Sequence, residues 1–350
     1  MTCRTGELTM TEHHSYWPRK RRLPLLLLLS LWLAGACTNT LFTPFSHASY
    51  TNNADVQAFI KEMTTEHQYD AEALTSLFSQ AKKMDSILKA MSRAPERRKT
   101  WAEYRKIFLT QGRIKRGKQF AQTYADALQR AEDTYGVAKE IIVAIIGIET
   151  EYGGNTGSYR VIDALATLGF YHPTRGAFFK KELKEALLLA RENNLDIVKL
   201  KGSYAGAMGM GQFIPSSFRR WAVDFDQDGV KDIWENPVDA IGSVANYFQA
   251  HQWRKGESVI LPARIENPDL ELFNSTLETR FKVGELAKKG IFPIDSVDAE
   301  IKVTPYSFEG TEGMEYWIGL HNFYVITRYN RSRLYARAVY ELSLEFSKTS

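Results

Sequence analysis

Ile141-Ile142-Val143-Ala144-Ile145-Ile146-Gly147-Ile148-Glu149-Thr150-Glu151-Tyr152-Gly153-Gly154 is an apolar run that ends in two acids and two glycines. Downstream, Gly202-Ser203-Tyr204-Ala205-Gly206-Ala207-Met208-Gly209-Met210-Gly211-Gln212-Phe213 supplies a glycine-rich turn. If Ala144 to Tyr152 is helical, then Ala144, Ile145, Ile148, Glu149 and Tyr152 share one stripe. Glu149 then lies in an apolar face, while Glu151 sits about 200° round the helix and points elsewhere. A carboxyl in apolar surroundings resists ionisation, so its pKa is expected to rise. That suits a general acid working near neutral pH. The same residues also read as a plain helix end with two solvated acids, fraying at Gly153-Gly154, and pattern alone leaves both readings open. Glycines 202, 206, 209 and 211 are open in the same way. They allow close packing, or they let a bulky ligand approach the backbone.

Outward from this stretch, the chain is ordinary in composition. Its 350 residues are 44% hydrophobic and 25% charged, enough for one large domain or two. The formal charge is +4; residues 1–36 hold five basic and two acidic side chains, which leaves +1 for residues 37–350. Such a balance gives no footprint for nucleic acid as a partner. Arg19-Lys20-Arg21-Arg22 followed by the apolar run to Leu33 reads as a signal peptide over 1–36, too short for a comfortable membrane span. Leu33-Ala34-Gly35-Ala36-Cys37 suggests lipoprotein processing with Cys37 acylated, although Ala34-Gly35-Ala36 and Ser46-His47-Ala48 also fit ordinary cleavage. Expected localisation is therefore periplasmic, with a lipid anchor in the outer membrane. Cys3 and Cys37 both lie at or before the cleavage region, so no internal disulfide is expected. The histidines lack metal-ligand spacing, and neither a Gly-x-Ser-x-Gly elbow nor a phosphate loop occurs.

Residues 37–52 read as a tether, and 53–135 as an N-terminal helical domain. Within it Val56, Phe59, Ile60 and Met63 recur at helical spacing, Tyr104 falls on a helix near Trp101 and Phe108, and Phe120 to Tyr135 reads as a single helix. Residues 136–257 form the expected core. Lys180-Lys181-Glu182 and Lys184-Glu185 read as a solvated helix face. Asp224-Phe225-Asp226-Gln227-Asp228-Gly229-Val230-Lys231-Asp232-Ile233-Trp234-Glu235 matches a calcium loop of the EF-hand type at every position. Asp224, Asp226 and Asp228 would supply oxygens, Val230 its carbonyl, Asp232 a direct or water-borne contact, and Glu235 both oxygens. Five acids in twelve residues repel one another unless a cation is present. Hard oxygen ligands favour Ca²⁺, expected here as a structural ion. Asn236-Pro237 opens a helix. Residues 258–315 read as a small mixed β segment, with strands at Val259–Ala263 and Ala299–Val303. Residues 316–350 read as a C-terminal helical part; Tyr335, Ala338, Val339 and Leu342 face inward on its last helix. Tyr316, Trp317, Phe323 and Tyr324 are either core or stacking surfaces for sugars.

Four segments together, Ala144-Ile145-Ile146-Gly147-Ile148-Glu149-Thr150-Glu151-Tyr152-Gly153, Ile162-Asp163-Ala164-Leu165-Ala166-Thr167-Leu168, Gly202 to Ser217, and Val238-Asp239-Ala240-Ile241-Gly242-Ser243-Val244-Ala245-Asn246-Tyr247-Phe248, resemble the membrane-bound lytic transglycosylase B family. The resemblance runs from roughly residue 53 to 345 in the family's order. It implies a mainly α fold of α+β type: a lysozyme-like catalytic core, a surrounding helical domain, a small β part and an EF-hand-like calcium loop. It also implies non-hydrolytic cleavage of the β-1,4 bond between N-acetylmuramic acid and N-acetylglucosamine in peptidoglycan, with Glu149 as general acid and then base. Carried over in the same way, Tyr104 and Tyr247 line the cleft, Ser203 hydrogen-bonds the acid, and Gln212 contacts substrate. Tyr329-Asn330 resembles the family's tyrosine-asparagine motif, and Tyr324 joins the substrate-binding set. The expected partners are glycan strands, a membrane reached through the lipid, and other cell-wall enzymes. A lysozyme-type hydrolase and a non-catalytic calcium-dependent peptidoglycan binder are the rival readings; product mass separates the hydrolase, and muropeptide release excludes the binder.

Overall fold

Every residue from Ile141 to Ile148 is buried in the computed structural model, which describes residues 50–92 and 99–348. Such a helix needs neighbours on all sides, and the chain supplies them in order. Before it come α1 (Ala54–His67), α2 (Ala71–Gln80), α3 (Asp85–Ser92), α4 (Trp101–Phe108), α5 (Gln111–Thr123) and α6 (Ala125–Tyr135). Their starts are written locally. Asn53 and Asp70 accept backbone N–H groups at the heads of α1 and α2, and Thr100 with Glu103 closes a capping box on α4. The single helix expected over Phe120–Tyr135 is in fact broken at Tyr124, whose backbone leaves the helical region. The break lets α5 pack on the central helix while α6 turns to pack on a later one.

The central helix is α7 (Lys139–Thr150). It is followed by α8 (Val161–Tyr171), α9 (Gly176–Glu192), α10 (Pro215–Trp221) and α11 (Pro237–Ala250). A two-stranded ribbon, β1 (Tyr159–Arg160) with β2 (Lys201–Gly202), brings the start of α8 to the glycine-rich turn. The expected solvated face of α9 is corrected by the structure. Glu182 is 2% exposed and accepts from Ser216 N at 2.9 Å and Ser216 Oγ at 2.8 Å, so it caps α10. Burial still pushes its carboxyl upward, against those two hydrogen bonds. Helical charge patterning cannot show that one acid in such a run meets the open end of another helix.

The β part is a five-stranded antiparallel sheet in the order β4-β6-β7-β3-β5. Its strands are β3 (Ile260–Ile265), β4 (Phe281–Lys282), β5 (Ile291–Pro293), β6 (Lys302–Gly310) and β7 (Gly313–Gly319), with α12 (Val283–Ala287) between β4 and β5. The strand expected at Ala299–Val303 begins instead at Lys302, and Tyr316 and Trp317 belong to β7. A separate small core of Phe273, Val283, Leu286, Ile291, Val303, Ile318 and Leu320 supports the sheet. The chain then returns to the helices as α13 (His321–Tyr329) and α14 (Arg333–Ser347), and α14 packs directly on α7. That return decides the site. Among the described residues no helix is long and apolar enough to cross a membrane.

Candidate active site

Glu149 is the last residue but one of α7 and is half-buried. The turn beyond it is strained: Glu151 and Tyr152 both adopt the left-handed region, with φ of 52° and 65°. Two such non-glycine residues in a row cost about 1–2 kcal/mol each, so the surroundings must hold them. Arg113, which is 6% exposed, does much of this. Its Nε donates to Gly147 O at 3.0 Å, its Nη1 to Ile107 O and Phe108 O, and its Nη2 to Glu151 at 2.9 Å. One guanidinium thus caps the ends of α4 and α7 together. Arg116 takes the other Glu151 oxygen. Tyr152 folds back under the helix and donates to Arg113 O at 3.0 Å. Gly147 makes room for it: a Cβ there would lie 2.5 Å from the Tyr152 hydroxyl. The expectation that Glu151 points away from Glu149 agrees with this geometry.

Thr150 ties the end of α7 to the glycine-rich turn, donating to Met210 O at 2.8 Å while accepting from Gly153 N at 3.0 Å. Within the turn, Gly206 has φ of +79°, and a Cβ would fall 2.5 Å from Leu165 Cδ2, so glycine is needed there for both reasons. Ser203 Oγ accepts from Ala207 N at 3.1 Å and Ala205 N at 3.4 Å. Gln212, with φ of 51°, donates its amide to Thr156 O and Gly209 O. Its side-chain carbonyl is the group left to meet a ligand.

Tyrosines close the other side. Tyr335 on α14 is 2% exposed and donates to Glu149 Oε1 at 2.6 Å. Burial first, and then the Glu149 charge, hold the Tyr329 and Tyr335 hydroxyls well above the usual phenol range, so both remain protonated donors. Tyr104 is buried and close enough to act electrostatically on the Tyr335 hydroxyl. Tyr329 donates to Gly211 O. Its ring stacks on Phe248 and meets Tyr247 edge-on at 4.8 Å. Tyr247 is 7% exposed, stacks on His251 at 4.0 Å and donates to Arg328 O at 2.7 Å. Asn330 ends α13, and the Tyr324 ring lies 6.0 Å from the Arg328 guanidinium.

The structure therefore gathers Glu149, Tyr104 and Tyr329, and sets Ser203 and Gln212 on a turn fastened to the helix end. The sequence reading missed Tyr335, Thr150 and Arg113. Tyr335 was read as core from its inward spacing. A buried phenol needs a partner for its hydroxyl, and that was the available signal.

The sequence matches the family described as Transglycosylase SLT domain over residues 51–344. It is 44% identical over 302 residues to the membrane-bound lytic murein transglycosylase B of Escherichia coli K12, covering 84% of this chain and 82% of that protein. The chain belongs to the lytic transglycosylases. Among solved structures, this transglycosylase is similar to SltB1 of Pseudomonas aeruginosa, with 51% identity, TM-score 0.83, and coverage of 85% and 98% of the two chains. It is similar to E. coli Slt35 solved in complex with calcium, with 44% identity, TM-score 0.80, and coverage of 85% and 94%. It is also similar to P. aeruginosa SltB3 in complex with NAG-NAM-pentapeptide, with 30% identity, TM-score 0.74, and coverage of 84% and 79%.

The acidic loop of this transglycosylase joins α10 to α11. Asp224 accepts from Asp228 N and Gly229 N, and Asp232 accepts from Trp234 N and Glu235 N. Among the described residues, the loop carboxylates that come within 4.8 Å of one another are Asp224, Asp226 and Asp239. Asp228, Asp232 and Glu235 are outside that group, and Val230 is 52% exposed. Asp239, and not Glu235, thus lies beside Asp224 and Asp226, for a geometric reason. The exit helix starts only at Pro237, so Glu235 precedes it, and Asp239 in the first turn of α11 reaches back. Asp239 is fully buried and accepts from Phe225 N at 2.6 Å and Asp232 N at 2.8 Å; burial pushes its carboxyl up. Hydrogen bonding, led by Asn236, pulls Asp226 down.

Proposed function

We propose that this chain cleaves the β-1,4 bond between N-acetylmuramic acid and N-acetylglucosamine in peptidoglycan, with Glu149 as the single proton carrier. The observation that carries this is the Tyr335 hydrogen bond to Glu149 Oε1 at the end of a buried helix. It fixes the orientation of the carboxyl that would meet the glycosidic bond. In the first step Glu149 gives its proton to the glycosidic oxygen as the bond to the muramic C1 breaks. In the second, the muramic C6 hydroxyl bonds to C1 and returns its proton to Glu149. No water enters, and a 1,6-anhydro end forms. A hydrolase of the usual kind needs a second carboxylate to activate water or attack C1. The neighbouring acid, Glu151, has both oxygens committed to Arg113 and Arg116.

The remaining roles follow from the hydrogen bonds already made. Ser203 accepts two backbone N–H groups, so its own hydrogen is available for the Glu149 carboxylate. The hydroxyls of Tyr247 and Tyr329 are spent on backbone carbonyls and their rings are packed on His251 and Phe248, so these two would meet substrate through hydroxyl lone pairs. Tyr104, Tyr324, Gln212 and Asn330 complete the substrate-binding set. Asp224, Asp226 and Asp239 would hold Ca²⁺, as three hard oxygen donors in one place allow. The ion would neutralise their mutual repulsion and fix the α10–α11 connection, with no part in bond cleavage. The protein is exported to the periplasm and anchored by lipid at Cys37, which lies outside the described residues. Mass spectrometry of products from purified peptidoglycan tests the reaction. Anhydro ends support it, and products heavier by one water would show a hydrolase instead.

A further inference from the structure

Charge is unevenly placed along the chain. Residues 99–118 hold seven basic side chains and one acid, a net +6, whereas the rest of residues 50–350 sums to −5. Arg105 is ion-paired with Glu341, and Arg113 and Arg116 share Glu151. Lys106, Lys115 and Lys118 make no ion pair among the described residues. Lys115 and Lys118 stand three apart on α5 and so share a face. With Gln111, Ile114, Gln119 and Gln122 they line a surface hollow of about 350 Å³. Two ammonium groups match carboxylates. Three primary amides donate and accept as peptide bonds do. A neutral sugar has no use for the ammonium pair, and a lipid phosphate has none for the amides. The helix that carries this hollow also carries Arg113 and Arg116, which hold the turn next to Glu149.

We propose that the Lys115–Lys118 face of α5 docks the carboxylate-bearing peptides carried by the glycan strand, so that peptide-bearing strands are the preferred substrate. This rests on the transglycosylase reading above, and it fits a relative, SltB3, that was solved with a pentapeptide-bearing disaccharide. Charges placed around a site raise association rates by about tenfold or more at low salt, and the gain shrinks as salt screens them.

The test compares the full chain with its Lys115→Gln/Lys118→Gln variant on peptide-bearing strands and on the same strands stripped by an amidase. Binding is measured by co-sedimentation in the Glu149→Gln background, and kcat/KM in the active protein. The expected result is about a tenfold preference for peptide-bearing strands at low salt, lost in the double-lysine variant, with kcat/KM on stripped strands unchanged. Equal preference in both proteins overturns the proposal, as does no preference in the parent chain. A lysine-dependent attachment to phosphatidylglycerol vesicles with an unchanged strand preference would assign the face to lipid and overturn it too. If neither strand yields anhydro ends, the reaction reading fails, while the co-sedimentation result still decides the docking claim.

Discussion

Two regions of this protein gather carboxylates, and they hold them in opposite ways. At the end of α7, Glu149 is half-buried and accepts from a tyrosine hydroxyl on α14, remote in sequence. In the α10–α11 connection, Asp224, Asp228 and Asp232 are held by backbone N–H groups of their own loop. Local N–H donors favour the charged form, and several charged oxygens together make a cation site. A half-buried carboxyl that accepts from a neutral hydroxyl can exchange a proton. Chemistry and stability are thereby separated, and four experiments can break or sharpen that separation.

Glu149→Gln should give the largest effect. The amide can neither give nor take the proton, so turnover should fall by at least the roughly 10⁴-fold upper range of general acid catalysis, with the melting temperature kept. A variant retaining turnover would end the assignment. Tyr335→Phe should come next. A hydrogen bond to a charged group is worth about 1.5–3 kcal/mol, so kcat should drop by roughly ten- to a hundredfold. The phenol O–H favours ionised Glu149, so removing it should move the alkaline limb of the pH–rate profile to higher pH. A limb that stays still or moves down would show that Tyr335 only packs.

Chelation tests the other region. Binding to the folded state adds RT ln(1 + [L]/Kd), about 2.7 kcal/mol at a hundredfold excess over Kd. Removing calcium should therefore lower the melting temperature by several degrees and leave turnover intact below the transition. Asp224→Ala and Asp239→Asn should each abolish that sensitivity, and Glu235→Gln should not. Immediate loss of turnover on chelation, with the fold intact, would mean that the two regions are coupled. The smallest effect is expected for Glu151→Gln. Glu151 is nearly half exposed, and the amide still accepts from Arg113, so stability should fall by about 1 kcal/mol or less. Turnover should stay within about tenfold of the parent, since one charge-assisted hydrogen bond is lost at most. A dead Glu151 variant would reverse the roles of the two acids.

Local signals read correctly from the chain. The apolar run 141–148 became a buried helix because no amphipathic placement exists for it. Asn236-Pro237 opened α11 because the Asn side chain and the Pro φ suit a helix start. Glu149 and Glu151 point apart as expected, but not through helical phasing: α7 ends at Thr150, and the left-handed Glu151 is turned onto Arg113 and Arg116. Readings failed where the deciding partner was distant. Glu182 looked solvated until α10 came to rest on it. The Phe120–Tyr135 periodicity continued through Tyr124 although the chain turned there.

The sequence by itself determined the candidate groups: one acid at the end of an apolar helix, a turn of small residues, and an aspartate-rich loop. These are properties of residue type and short-range spacing, and they survive without knowledge of the fold. Tertiary structure alone decided which groups touch them. Tyr335 reaches Glu149 only because the chain leaves through a five-stranded sheet and returns as α14 against α7. Asp239 joins Asp224 and Asp226 only because α11 begins after the loop rather than within it. Partners of this kind are chosen by packing, and packing depends on which buried faces meet, which spacing along one chain does not encode.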